Sequence, residues 1–309
     1  MTYWLYRGVA RLPLWLCYHI ASVASWLTNH VFRYRRKIIL SNLKAAFPEQ
    51  SNAWRKQQLN AFYSGLAETT IEIIFGSRMS LEDINARVQY ENPEVARIAT
   101  NNFTRSALVL TLHQGNWEWM LHGATAALDI RVDPVYKRLH NLGADRFAYE
   151  ARRQFGAKPI LMQHVARNVL KHRRETRLIA LVADQSPGKR ERVHWTTFLN
   201  QPTAFFSGGA TIARATGLPV LFAACHRVSR GHYSVRFELI TTTPKDLNAH
   251  EIIERYAQLA EREIRNHPAD WLWSNRRWKL NQPAPENQPA AATAPAAGND
   301  KSSQEKPSP

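Results

Sequence analysis

Cysteine is scarce. The chain has two in 309 residues, Cys17 and Cys225, far apart and in no CxxC or His/Cys cluster. That excludes a disulfide-stapled scaffold and a cysteine-based zinc site, and it fits a reducing compartment. Acidic residues are absent from Met1 to Pro48. There is no Walker loop, GxGxxG, HExxH or GxSxG, so nucleotide-binding, zinc-protease and serine-hydrolase readings lack their anchors. No internal repeat is present. His122, His140, His164 and His226 stand singly and read as core or surface histidines, so neither a metal nor another cofactor is expected. From Pro283 to Pro309 there is no Ile, Leu, Val or aromatic residue and there are six prolines. Such a segment buries too little to offset its ordering entropy, and a disordered Pro/Ala-rich tail is expected over 282–309.

Basic charge is abundant. Lys plus Arg number 41 against 25 Asp plus Glu, a net +16, and 44% of residues are apolar, ample for a buried core. The excess points to an anionic partner: nucleic acid, a lipid surface, a phosphorylated substrate or an acidic carrier protein. It concentrates at the N-terminus and between Arg131 and Arg174, where eleven Lys/Arg face three acids.

Leu12 to Phe32 is a 21-residue run without a charge, with Arg7 and Arg11 before it and Arg33, Arg35, Arg36 and Lys37 after it. About 20 residues span a bilayer as a helix, and Trp15 and Trp26 sit near the ends where indoles favour the interface. We therefore expect residues 1–37 to form a single membrane anchor, with the denser basic flank holding the rest on the cytoplasmic side. His19, Asn29, His30 and Pro13 dilute the run, and interfacial or buried soluble helices are the alternatives.

Residues 38–105 read as a helical lead-in, with apolar residues at helical spacing between Ala53 and Ile74 and a Ser80/Asp83 capping box. From 106 to 281, apolar β-type runs such as SALVLTL, RLIALVAD and VLFAACHRV alternate with helical segments, predicting an α/β core in which a mixed sheet is flanked by helices.

The most informative stretch is LVLTLHQGNWE, in which a strand runs into a turn and then a helix. Gly115 permits a turn that would fold Glu118 back to accept from one imidazole nitrogen of His113, leaving the other as a base. This is the base and orienter of a triad without its serine, so the activated group would be a substrate hydroxyl. The bland alternative is a loop histidine and a glutamate favoured by the helix dipole.

His113-Gln-Gly-Asn116-Trp-Glu118 resembles the His-x4-acid motif of glycerolipid-type acyltransferases, in the form typical of the bacterial lipid A biosynthesis late acyltransferases. Other blocks follow in order over residues 1–280: RKIILSNLKAAFPE from Arg36, VYKRLHN from Val135, VADQSPG from Val182, the small-residue segment Trp195–Gly217, and DWLWSNRRWK from Asp270. Lys137, beside Arg138, stands where the family usually has arginine, and Asn275 where histidine is common.

The resemblance implies a glycerolipid-acyltransferase-like α/β fold and transfer of a fatty acyl chain from acyl–acyl carrier protein to a hydroxyl of a lipid A precursor. His113 would be the general base and Glu118 its orienter. Arg152, with Arg153 as neighbour, Lys137, Arg138, Asp184 and Asn116 would bind substrate. Ser207-Gly-Gly would either pack closely or wall an acyl chain. Trp271, Trp273 and Trp278 with Arg276, Arg277 and Lys279 read as core packing plus a membrane or carrier surface. No nucleic-acid partner is expected. The alternatives are acylation of another lipid, a lysophospholipid or aminolipid, and a non-catalytic basic membrane or nucleic-acid binder.

Overall fold

The computed structural model describes residues 1–188 and 191–282. The tail expected beyond Gln282 lies outside the described residues.

The N-terminal third is helical: α1 (Thr2–Val9), α2 (Leu14–Trp26), a π-helical turn (Leu27–Val31), α3 (Arg36–Ala46), α4 (Asn52–Gly76), α5 (Leu81–Arg87), then β1 (Val88–Tyr90) and α6 (Pro93–Ala99). Ser51 caps α4 by accepting from Trp54 N, and the Ser80/Asp83 box opens α5. The stretch read as wholly helical thus also supplies a strand, β1, to one edge of the sheet.

The expected spanning helix is not there. No helix among the described residues is long and apolar enough to cross a membrane. Pro13 precedes α2, whose 13 residues measure roughly 20 Å against a hydrocarbon core of roughly 30 Å. One stripe of it is spoken for: Cys17 and Ala21 are buried, and Tyr18 Oη donates to Glu72 Oε1 of α4 at 3.0 Å. Beyond it, Asn29 Nδ2 donates to Asn60 Oδ1 at 2.9 Å. The charge-free run packs one stripe against α4 and leaves its opposite side, with Trp15, Val23 and Trp26, at the surface.

The rest alternates as the patterning requires: β2 (Ala107–Thr111), α7 (Trp117–Ala127), β3 (Val132–Tyr136), α8 (Leu142–Arg152), β4 (Ile160–Leu161), α9 (Val165–Lys171), β5 (Leu178–Val182), β6 (Val193–Phe198), β7 (Gln201–Phe206), α10 (Gly208–Thr216), β8 (Val220–Ser229), β9 (His232–Thr241) and α11 (Ala249–Asn266). Seven strands form one sheet in the order β1-β9-β8-β2-β5-β3-β4, parallel except for the β8–β9 hairpin. β6 and β7 make a separate hairpin.

β2 is buried along its whole length, as a central parallel strand must be with helices on both faces. Leu108, Leu110 and Leu112 enter one core with α3, α4, α10 and α11. Ala107 and Val109 enter the other with α5, α6 and α7. Period-two alternation decides which core each residue joins.

Candidate active site

β2 and β5 are hydrogen-bonded neighbours with Thr111 opposite Val182. Two residues past each lie His113 and Asp184, so equal offsets bring together side chains 71 positions apart. The site therefore forms beyond the carboxyl ends of parallel strands, where open α/β sheets place their ligands.

His113 Nδ1 lies 2.7 Å from Asp184 Oδ1. Asp184 Oδ2 accepts from His113 N at 3.2 Å and from Trp271 Nε1 at 2.7 Å. Burial pushes the Asp184 carboxyl upward, but the facing imidazole and these hydrogen bonds outweigh it, and its pKa ends below the ordinary value. An ionised Asp184 can only accept, which puts the imidazole proton on Nδ1 and leaves Nε2 with a lone pair. Gln185 Nε2 lies 3.3 Å from that Nε2, and the ring meets Trp117 edge-on at 5.2 Å.

The turn after His113 needs glycine. Gly115 has φ +57°, and a Cβ there would come 2.7 Å from the Cys225 carbonyl oxygen. The turn is pinned at its far side, since Gly115 N donates to Asp270 O and Leu272 N to His113 O.

Glu118 does not orient His113, contrary to expectation. It lies in the first turn of α7, and Arg152 at the end of α8 holds it as a fork, Nε donating to Oε1 and Oε2 at 3.2 and 2.9 Å. Burial raises the Glu118 carboxyl, and the Arg152 charge and hydrogen bonds more than reverse this. The motif's acid and its histidine share a wall but answer to different partners. Asp184 was missed as the orienter because no local spacing joins it to His113.

A cavity of about 410 Å³ opens between α7 and the sheet. His113, Glu118 and Arg152 line it with apolar Val109, Met120 and Leu121, and exposed Lys137 and Arg138 stand at its edge. A second cavity, about 300 Å³, lies on the opposite face among Leu110, Leu181, Phe206, Gly208, Gly209 and Ile253; the two share Val135, Met162 and Val182. Small residues of α10 thus pack closely, Gly209 against Leu110, and also line a cavity.

A family model described as bacterial lipid A biosynthesis acyltransferase matches residues 1–280. The chain belongs to the bacterial lipid A biosynthesis acyltransferase family. It is accordingly an acyltransferase, with a lipid A acceptor and an acyl donor as the family's substrates. No curated protein matches it.

Three expected substrate-binding residues of this lipid A acyltransferase family member lie outside the cavity lining: buried Asp184, which meets His113 instead, Asn116 and Arg153. Asn116 is wholly buried as the cap of α7: its Oδ1 accepts from Trp119 N and its Nδ2 donates to Glu72 Oε2, both at 3.0 Å. Buried and engaged at both ends of its amide, it does not line the cavity. Arg153 is exposed, over the Tyr149 ring, and outside the cavity lining.

The Trp/Arg-rich terminal signature is split between core and surface, with Arg276 and Lys279 exposed. Trp271 and Trp273 are buried, and Trp271 reaches Asp184. Arg277, 1% exposed, lies with its guanidinium 4.5 Å over Phe205 and without a hydrogen-bond partner among the described residues. Burial pulls its pKa down to about 10.

Proposed function

We propose that this acyltransferase moves a fatty acyl chain from an acyl–acyl carrier protein thioester onto a hydroxyl of a lipid A precursor, with His113 as general base and Asp184 as its orienter. The observation that carries this reading is the His113–Asp184 contact of 2.7 Å, with the imidazole lining a largely apolar cavity.

Nε2 takes the hydroxyl proton as the acceptor oxygen attacks the thioester carbonyl, and Asp184 stabilises the imidazolium that forms. Collapse of the tetrahedral adduct breaks the carbon–sulfur bond, and His113 returns the proton to the departing thiolate. The products are an ester and a free thiol. The apolar cavity suits the acyl chain. The Glu118–Arg152 pair fixes the wall beside the base, and Lys137 and Arg138, exposed and without an ion-pair partner among the described residues, carry positive charge for phosphate or the developing oxyanion.

The N-terminal helices suit contact with an anionic bilayer surface. Trp4, Trp15, Trp26 and Phe32 are each more than half exposed, and Arg7, Arg11 and Arg33 lie close to them in sequence. Large apolar side chains beside basic ones favour the headgroup boundary. The chain on this reading lies on the cytoplasmic face of the inner membrane, where the carrier thioester and lipid acceptor meet.

The test is mass spectrometry of a tetra-acylated lipid A precursor incubated with the purified protein and a panel of acyl–carrier-protein thioesters. A mass gain of one acyl chain, lost in His113→Ala, is expected. No gain with any donor from folded protein overturns the acceptor assignment and directs the assay to lysophospholipid and aminolipid acceptors.

A further inference from the structure

His226, Glu263 and His267 converge behind the turn that carries His113. His226 is on β8; Glu263 is in the last turn of α11, and His267 caps that helix. Glu263 and His267 are four apart and so lie on the same side of the helix end. The two imidazoles stack face to face, centroids 4.0 Å apart and 3° from parallel. Each turns a ring nitrogen to the same carboxylate oxygen: His226 Nδ1 is 3.5 Å and His267 Nε2 3.8 Å from Glu263 Oε1.

These separations exceed an ordinary hydrogen bond of roughly 2.7–3.2 Å. They approach the spacing between neighbouring ligands of a tetrahedral ion, roughly 3.3 Å when each bond is roughly 2.0–2.1 Å. All three ligand atoms lie within 4.8 Å of one another. Glu263 Oε1 is buried and has no hydrogen-bond partner among the described residues. A buried acceptor of this kind is costly to leave unmade; a cation would satisfy it, and one ring turning out of the stack would bring both in-plane nitrogen lone pairs onto the same ion. The negative end of the α11 dipole adds to the attraction. None of the three side chains is fully buried, which leaves a route in and room for a fourth ligand such as water.

We propose that His226, Glu263 and His267 bind one divalent transition-metal ion, of the zinc class by their nitrogen and oxygen donors. The ion would brace the loop behind the active site rather than take part in acyl transfer. Gln114 Nε2 donates to the Glu263 carbonyl at 3.4 Å, Gln114 bridges to Trp271, and Arg227 N donates to Asp270 Oδ2 at 2.9 Å. Fixing β8 to the end of α11 therefore fixes the turn that holds His113 and the segment that brings Trp271 to Asp184.

The experiment strips the full-length protein with a chelator and titrates zinc by calorimetry, following Tm in parallel. One ion per chain is expected, with Tm rising on the order of 5 °C at saturation. Glu263→Gln and His267→Ala should each weaken binding by more than about 10–100-fold, the loss associated with outer-shell partners alone. His19→Ala, at an exposed histidine on α2, should leave binding unchanged. X-ray absorption of the zinc-loaded wild type, which needs no variant to fold, should count two imidazoles. Absence of stoichiometric binding, binding indifferent to both substitutions, or fewer than two imidazoles would each overturn the site. Because zinc binding and Tm are read without substrate, failure here is separable from failure of the acyl-transfer reading.

Discussion

Two buried carboxylates each hold a basic side chain that lines the cavity, and their partners differ. Asp184, past the end of β5, faces an imidazole; Glu118, in the first turn of α7, faces a guanidinium. Both are held below the ordinary carboxylate pKa against the push of burial. An imidazole can gain and lose a proton near neutrality, whereas a guanidinium cannot. On the proposed mechanism the first pair moves a proton and the second holds a shape. The motif's own acid belongs to the second pair.

The sharpest way to break this contrast is Asp184→Asn. It keeps the shape but offers the imidazole a donor in place of an acceptor, inviting the wrong tautomer. Transfer measured by mass-resolved kinetics should fall by about 10⁴-fold, the scale of the equivalent change in a serine-protease triad. Secondary structure by circular dichroism should be unchanged.

Glu118→Gln should act mainly on stability. It leaves the Arg152 charge largely buried and without its counterion, a loss of about 3–5 kcal/mol in urea unfolding. A double variant with Arg152→Met should recover part of that.

His122 sets the next effect. Buried in α7 against Phe155, it has its pKa pulled down by burial, from 6.5 to about 4. The fold thus prefers it neutral, while the unfolded chain protonates it near 6.5. Its contribution is fully present above pH 6.5 and is lost as pH falls towards 4, a decline of about 3 kcal/mol. The carboxylates of Asp184 and Glu118 lose theirs only in a lower window, so His122→Phe should flatten the upper part of the pH–stability curve and spare the lower. The smallest effect is expected of Arg153→Ala, exposed over Tyr149, which should change unfolding free energy by less than about 0.5 kcal/mol.

Much of the fold was legible because each signal was local. The alternation of SALVLTL, RLIALVAD and VLFAACHRV with helical segments appears as β2, β5 and β8 among helices, and the Ser80/Asp83 box opens α5 as its spacing predicts. The His113 turn was legible too, since a strand, Gly115 and a helix follow within a few residues. What depended on the sheet was not. His113 meets Asp184 only because β2 and β5 are neighbours in register, and no spacing along the chain reports that. His226 read as a single histidine because Glu263 and His267 reach it from α11. The charge-free run at Leu12–Phe32 read as a span because hydropathy averages around a helix, whereas burial of Cys17 and Ala21 and the Tyr18–Glu72 bond concern one stripe. The β6–β7 hairpin was hidden in a segment read only as rich in small residues.

The central claim is that Asp184, not Glu118, sets the state of His113, and ¹⁵N–¹H correlation of histidine-labelled protein at neutral pH tests it most directly. The account predicts a proton on Nδ1 and a bare Nε2 in the wild type, a tautomer lost in Asp184→Asn and kept in folded Glu118→Gln. A proton resident on Nε2 in the wild type, or a tautomer that follows Glu118 and ignores Asp184, would contradict it.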